Sequence, residues 1–547
     1  MQLSSVTLSL LCVSVAQAVG LRRPLAPPFR AAFNSHAVAG NSNLAGNSTF
    51  EQLLDHKNPQ LGTFSQRYWW NAEWWNGEGS PVVLFTPGEE AADGYVGYLT
   101  NKTITGLYAQ EINGAVVMLE HRYWGESSPY SELTTENLQY LTLENSIADL
   151  TYFAKNVKLP FDKKHSSNAQ NAPWVLSGGS YSGALTAWTE STSPGTFWAY
   201  HASSAPVEAI FNYWQYFKPI QEGMPQNCSL DVSRVVDYID QVNSHGTDRQ
   251  RQNLKDMFGL GDLEYFDDFA NALENGPWLW QENSFYTGYS GFYEFCDYVE
   301  NANSTVAGPD GVGLQKALHG YSEWFKNVYF PGSCAAYGYW SDNYTTACYN
   351  THDPNNPMYT DLSVSNTVDR QWEWFLCNEP FFYWQDGAPS DVPSVVSRTV
   401  NGEYYQRQCP LYFPEMKGQT YGSAKGKTAA EVNAWTKGWD LTDTTRLTWT
   451  NGYDQDLFFS LFKAIFARHL TQFNRQYDPW REAGVSSGFR PGGPLQSRPS
   501  APVHVIPDGI HCSDLILENG AVNAGVQAVI DAEVAQIKEW VAEYYQK

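Results

Sequence analysis

The chain reads as an α/β protein: a parallel sheet flanked by helices, with a helix-rich insertion that interrupts it. Three observations predict this. Short apolar runs alternate with helix-spaced segments between residues 65 and 207. The strand pattern then stops and resumes only near Arg446. One run, Trp174-Val175-Leu176, passes through Ser177-Gly178-Gly179-Ser180-Tyr181-Ser182-Gly183 directly into a helix-compatible segment. Strand, sharp turn and helix in that order present an exposed serine nucleophile.

Taken in order, Leu8 to Val15 is a mostly apolar run ending at the small-x-small site Ala16-Gln17-Ala18, which reads as a secretory signal over residues 1–18 despite lacking Lys or Arg before it. Residues 19–45 carry Arg22-Arg23 and Pro24 to Pro28 and read as a propeptide or a flexible N-terminus. Residues 46–207 form the first part of the α/β domain, with strands expected at Pro81–Thr86, Ala115–Glu120, Trp174–Leu176 and Ala199–Ser204. Between them, Leu143, Ile147, Leu150 and Phe153 share one face of a helix over Thr142–Lys155. Residues 208–430 are aromatic and loop-rich, with helices expected at Leu230–Val242, Leu254–Leu273 and Val312–Tyr329, and read as an inserted cap domain. Residues 431–547 return to the sheet with strands at Arg446–Trp449 and Ala501–Ile506, then a last helix over Val522–Tyr545.

A formal charge of -24 argues against nucleic acid or an anionic membrane as partner, and fits a protein working in acid. Beyond the signal, no run approaches the roughly 20 apolar residues of a membrane span. Seven cysteines remain after the signal, six of them between residues 228 and 409, as expected of disulfides formed on an oxidising route. Cys334 with Cys348 suits a local loop closure, and Cys512 is left over. None has the paired spacing of a zinc site, and no metal or cofactor is expected. Sequons at Asn47, Asn101, Asn227, Asn303 and Asn343 suit a secreted glycoprotein.

In the serine turn the residues two before and two after the nucleophile must be small. Gly178 and Ser182 meet that for Ser180, while Ser182 itself lies further from the strand end. The serine needs a base and an acid that orients it. Of eleven histidines, only His504 and His511 follow the last strands. His504 falls inside a strand; His511 falls on the loop beyond it. Asp454, Asp456 and Asp478 are the candidate acids, with Pro479 stiffening the loop of the last.

Gly178-Gly179-Ser180-Tyr181-Ser182-Gly183 resembles the serine motif of the lysosomal Pro-X carboxypeptidases, dipeptidyl peptidase II and the fungal acid prolyl endopeptidases. Glu120-His121-Arg122-Tyr123-Trp124-Gly125-Glu126-Ser127, Asn137 to Thr142, Cys377-Asn378-Glu379 and Gly509-Ile510-His511 fit the same family in the same order. The resemblance implies an α/β-hydrolase fold with a helical, disulfide-braced cap, and hydrolysis after proline by Ser180, Asp478 and His511. It places Trp480 in the proline pocket, and the N–H groups of Tyr181 and the Gly88 loop around the oxyanion. The substrates would be proline-containing peptides or proteins, and the protein would be secreted or held in an acidic, vacuole-like compartment. An endopeptidase is expected ahead of an exopeptidase, with an esterase or lipase, or a binding protein that has lost its chemistry, as the other classes. Activity near pH 4 would require His511 to titrate below its ordinary value.

The family's acid motif runs N-G-x-x-D-P-W, yet Asn451-Gly452 and Asp478-Pro479-Trp480 are separated by residues 453–475. Removing these 23 residues restores the motif. The segment reads as a retained intron or as a helical insertion, which sequencing of the mature transcript distinguishes.

Overall fold

A computed structural model describes residues 44–301, 307–451 and 477–547. The expected signal, almost all of 19–45, Asn303, Asp454, Asp456 and the 453–475 segment lie outside the described residues.

An eight-stranded sheet runs through the molecule. Its members are β1 (Ala45–Leu53), β2 (Thr63–Asn71), β3 (Val82–Phe85), β4 (Ala115–Leu119), β5 (Trp174–Gly179), β6 (Ala199–Ser203), β9 (Leu447–Asn451) and β10 (Val503–Val505). The spatial order is β1-β2-β4-β3-β5-β6-β9-β10. The pairs β1–β2 and β2–β4 are antiparallel and the rest parallel. The inner strands read as unbroken apolar runs because both their faces are covered. All of Val82 to Phe85, Ala115 to Met118 and Trp174 to Leu176 is fully buried. At roughly 1.5–3 kcal/mol for each large side chain, these strands anchor the core.

One face is covered by α2 (Leu143–Asn156) and α3 (Tyr181–Thr192), whose Leu143, Ile147, Leu150 and Phe153 pack inward as their spacing predicts. The other is covered by α1 (Ile104–Glu111) and the terminal α9 (Ala524–Tyr544), through Tyr108, Val526, Ile530 and Ile537. Strands β1 and β2 were not expected from the sequence. In β2 the buried Phe64, Gln66 and Tyr68 alternate with more exposed neighbours, a pattern that Gln66 masks.

Between β6 and β9 the chain leaves the sheet. It forms α4 (Gln226–His245), α5 (Asp248–Met257), α6 (Phe266–Leu273), α7 (Leu314–Trp324) and α8 (Arg370–Asn378), with a short parallel pair of β7 (Ile210–Asn212) and β8 (Phe382–Trp384). The helix expected over Leu254–Leu273 is instead two, α5 and α6, because Gly259 turns the chain at φ +77. Three disulfides brace the region: Cys228–Cys296, Cys334–Cys348 and Cys377–Cys409. Closing loops of 14 to 68 residues restricts the unfolded chain by about 3–4 kcal/mol each. Cys512 is free and buried. Among the described residues no helix is long and apolar enough to cross a membrane.

Candidate active site

In a sheet of this kind, ligands gather outside the carboxyl ends of the parallel strands. There the loop after β3 carries Gly88, the turn after β5 carries Ser180 and the loop after β10 carries His511. Ser180 caps α3 with φ +60 and ψ -130, a backbone state unusual for any residue but glycine. The neighbours hold it there by leaving no room. A Cβ on Gly178 would lie 2.2 Å from the Ser182 carbonyl oxygen, and one on Gly183 2.6 Å from that of Ser203. The Ser180 N–H donates to Ser203 O at 2.9 Å, tying the turn to β6.

His511 Nε2 stands 2.8 Å from Ser180 Oγ, and its Nδ1 2.9 Å from Asp478 Oδ1. The three residues are at most 6% exposed. Asp478 Oδ1 also accepts the Trp480 N–H at 3.0 Å, which fixes the carboxylate in its loop. Burial opposes its charge, but His511 and hydrogen bonds from Ser204 and Trp480 hold it below the ordinary carboxylate value. Burial likewise disfavours a charged His511, yet the ring is pushed well above the ordinary histidine value because the Cys512 side chain and the Asp478 carboxylate lie against it. This corrects the lowered value that activity near pH 4 would ask for: the Cys512 and Asp478 contacts together outweigh desolvation. The Cys512 thiol, pushed up by burial, stands beside the ring. Among the described residues, Ser182 Oγ is buried without a hydrogen-bond partner, and His504 lies in β10 with Nε2 unpartnered.

Tyr181 is the first residue of α3, where a backbone N–H has no partner within the helix. Its ring is clamped by Trp372, Phe375 and the His121 Nε2, 3.1 Å from the phenol oxygen. Gly88 has φ +84 and packs on the same turn, a Cβ there falling 2.5 Å from Ser182 Oγ. Trp480 is buried among Tyr213, Tyr216 and Tyr383, with ring centroids 5.3 to 5.5 Å away, and its Nε1 donates to Gln281 Oε1 at 2.8 Å.

Residues 52–455 match the family described as Serine carboxypeptidase S28. The chain belongs to that family. By family it is a serine peptidase, a hydrolase. It is 41% identical over 510 residues to "Serine protease vicPa" of Bipolaris victoriae (strain FI3), covering 92% of this chain and 90% of that one. To "Serine protease vicPb" of the same strain it is 41% identical over 512 residues, with the same coverage. To "Lysosomal Pro-X carboxypeptidase" of Pongo abelii it is 27% identical over 540 residues, covering 91% and 88%.

In this S28 peptidase the sequence motifs divide into two kinds. The serine and histidine motifs meet at the site. The Glu120-His121-Arg122 motif instead builds its support: Arg122 pairs with Asp149 at 2.6 Å, Glu120 with Arg67 at 2.6 Å, and His121 props Tyr181. Sequence reasoning missed Tyr213, Tyr216 and Tyr383; the only trace was the density of aromatic residues around 211–217 and 381–384. Of the four described sequons, Asn47, Asn101 and Asn343 are exposed, whereas Asn227 is half-buried and its Nδ2 donates to Glu300 at 3.0 Å. Among the described residues, two groups of acidic and histidine side chains offer ligand atoms close enough to hold a cation. At Asp267, Asp268 and His352 a guanidinium already fills that role, with Arg407 2.8 Å from His352 Nε2. The other is His201, Asp514 and Glu533, on β6, on the loop after β10 and on α9.

Proposed function

We propose that the protein is a secreted peptidase that hydrolyses peptide bonds on the carboxyl side of proline, with Ser180 as nucleophile, His511 as base and Asp478 as the acid that orients it. The hydrogen-bonded chain from Ser180 through His511 to Asp478 carries this reading. His511 takes the Ser180 proton as Oγ attacks the scissile carbonyl, and the oxyanion forms beside the Tyr181 N–H and the Gly88 loop. His511 then hands its proton to the leaving amine. Water enters, loses a proton to the same imidazole and attacks the acyl carbonyl, and His511 returns that proton to Ser180 Oγ as the C–Oγ bond breaks and the acid leaves. Asp478 keeps Nδ1 protonated so that Nε2 faces the serine.

Trp480, Tyr213, Tyr216 and Tyr383 supply the flat apolar walls that suit a compact ring such as proline. The family match ends at residue 455, so Asp478, His511 and Trp480 are assigned on motif and contacts. Because His511 is neutral only in part below neutrality, turnover climbs with pH across the acid range. A mildly acid working medium is proposed from the formal charge of -24 rather than from this titration. Cap helices inserted as a domain over residues 208–430, glycosylation at the exposed sequons and passage through a secretory route complete the reading, which the three disulfides favour.

Cleavage within a chain is the proposed mode. The relative named a Pro-X carboxypeptidase favours a second mode, removal of a residue after a penultimate proline. Incubating the purified protein with a Gly-Pro anilide at about pH 5 should release aniline, and Ser180→Ala should abolish it. A long peptide with internal proline, compared with a short one carrying proline next to its carboxyl terminus, separates the two modes. Turnover unchanged in Ser180→Ala would overturn the assignment.

A further inference from the structure

His201 on β6, Asp514 three residues beyond His511, and Glu533 on α9 meet in the interior without solvent, each at most 1% exposed on its side chain. His201 Nε2 is 3.2 Å from Asp514 Oδ2 and 3.3 Å from Glu533 Oε1. The arms of this cluster reach each segment that bears the proposed site. His201 Nδ1 lies 2.9 Å from Ser177 Oγ, on the strand leading to Ser180. Asp514 Oδ1 accepts from Ser203 Oγ at 2.6 Å, and the Ser203 carbonyl in turn receives the Ser180 N–H. Glu533 Oε1 accepts from Thr450 on β9, the strand before the acid loop. One layer above, Ser204 Oγ accepts the Cys512 N–H at 2.9 Å and bonds Asp478.

We infer that His201, Asp514 and Glu533 are positioning residues: a buried, proton-holding cluster that seats the His511 loop against the Ser180 turn and releases it when a proton is lost. This rests on the site assignment above. With a proton on His201 and another on Glu533, one carboxylate balances one imidazolium and the dry interior carries no net charge. Loss of the Glu533 proton leaves two carboxylates on one cation, with no water to solvate the excess. The remaining neighbours do not neutralise it. Tyr108 on α1 faces both carboxylates edge-on to His201, its hydroxyl unpartnered; Tyr98 and Cys512 face Asp514; and His504 on β10 faces His201. Burial disfavours charge on His201, yet the two carboxylates, Glu533 foremost, carry it up to about 9; burial pushes Glu533 up to about 7. Both values are raised, so the stabilisation is complete in acid and is lost as pH rises through them, Glu533 first.

Glu533→Gln keeps the shape of the protonated side chain and cannot lose a proton. The purified full chain and its Glu533→Gln, Glu533→Asp and Asp514→Asn variants are melted across about pH 4 to 9, and kcat and KM are measured on the Gly-Pro anilide over the same range. In the wild type, Tm should fall as pH rises from about 5 to about 9, first through Glu533 and then through His201, and kcat should fall above about pH 7; in Glu533→Gln the part of the Tm fall below about pH 7 and the fall in kcat should be lost, while Glu533→Asp retains both. Asp514→Asn should lower kcat on the order of tenfold with KM held within about twofold, the mark of a displaced base. Equal pH dependence of Tm in wild type and Glu533→Gln overturns the inference. So does a shifted Tm with an unmoved fall in kcat, which would make the cluster merely structural. A wild-type chain without turnover defeats the peptidase assignment instead, and the melting curves still judge the proton-holding cluster.

Discussion

Alanine at Gly88 should damage the site through two separable costs. The first is conformational: Gly88 has φ +84, where a residue with a Cβ loses about 1–2 kcal/mol. The second is steric: the new Cβ would stand 2.5 Å from Ser182 Oγ and 3.4 Å from Tyr181 Cδ1. Forcing such an atom into a packed site costs about 1–3 kcal/mol. Together they predict about 2–5 kcal/mol of lost stability, and on the order of a hundredfold loss in kcat if the Gly88 loop faces the oxyanion. Ser182→Ala isolates the steric part. Ser182 Oγ is buried and makes no hydrogen bond, so removing it alone should be neutral or stabilise by up to about 1 kcal/mol and leave turnover intact. In Gly88→Ala/Ser182→Ala the nearest remaining side-chain atom of Ser182 is Cβ at 3.7 Å, an ordinary contact. The double variant should therefore recover the steric cost and keep the conformational one, a coupling of about 1–3 kcal/mol in urea unfolding. Costs that add to within about 0.5 kcal/mol would refute the close packing of the Gly88 loop on the Ser180 turn.

Asp478→Asn should leave the loop folded, since an amide oxygen in place of Oδ1 can still accept from the Trp480 N–H and from His511 Nδ1, but it removes the charge that stabilises the imidazolium; kcat on the Gly-Pro anilide should drop on the order of 10²-fold or more. A drop under tenfold would show that another acid serves. Trp480→Phe should preserve the aromatic packing while losing the bond to Gln281, and should narrow the preference for proline over alanine substrates by about tenfold or more in kcat/KM. Trp480→Ala should in addition cost about 3–5 kcal/mol in unfolding, because a large ring is removed from a buried cage. An unchanged proline-to-alanine ratio in both variants would remove Trp480 from the pocket.

Much of the fold was legible because its causes are local. Runs such as Val82 to Phe85 are apolar throughout because both faces of an inner parallel strand are covered, and Leu143, Ile147, Leu150 and Phe153 recur at helical spacing because one face of α2 meets the sheet. The Ser180 turn was legible for the same reason. Its glycines are demanded by atoms a few residues away, the Ser182 carbonyl standing where a Gly178 side chain would go. The β2 strand was not, since its buried Gln66 serves a hydrogen bond to Gln52 at 2.9 Å that no local pattern announces. The break between α5 and α6 was hidden behind continuous helical composition until Gly259 turned the backbone.

At the site itself, sequence order alone left three candidate acids and two candidate bases. Only the tertiary structure brings Ser180 and His511 together across 331 residues, and with them Asp478. It also decided the electrostatics. The upward displacement of His511, the aromatic walls around Trp480 and the charge balance of His201, Asp514 and Glu533 all depend on distances between groups far apart in the chain. Coulombic and desolvation effects act through space and burial, and neither is written in the spacing of residues along a strand or helix.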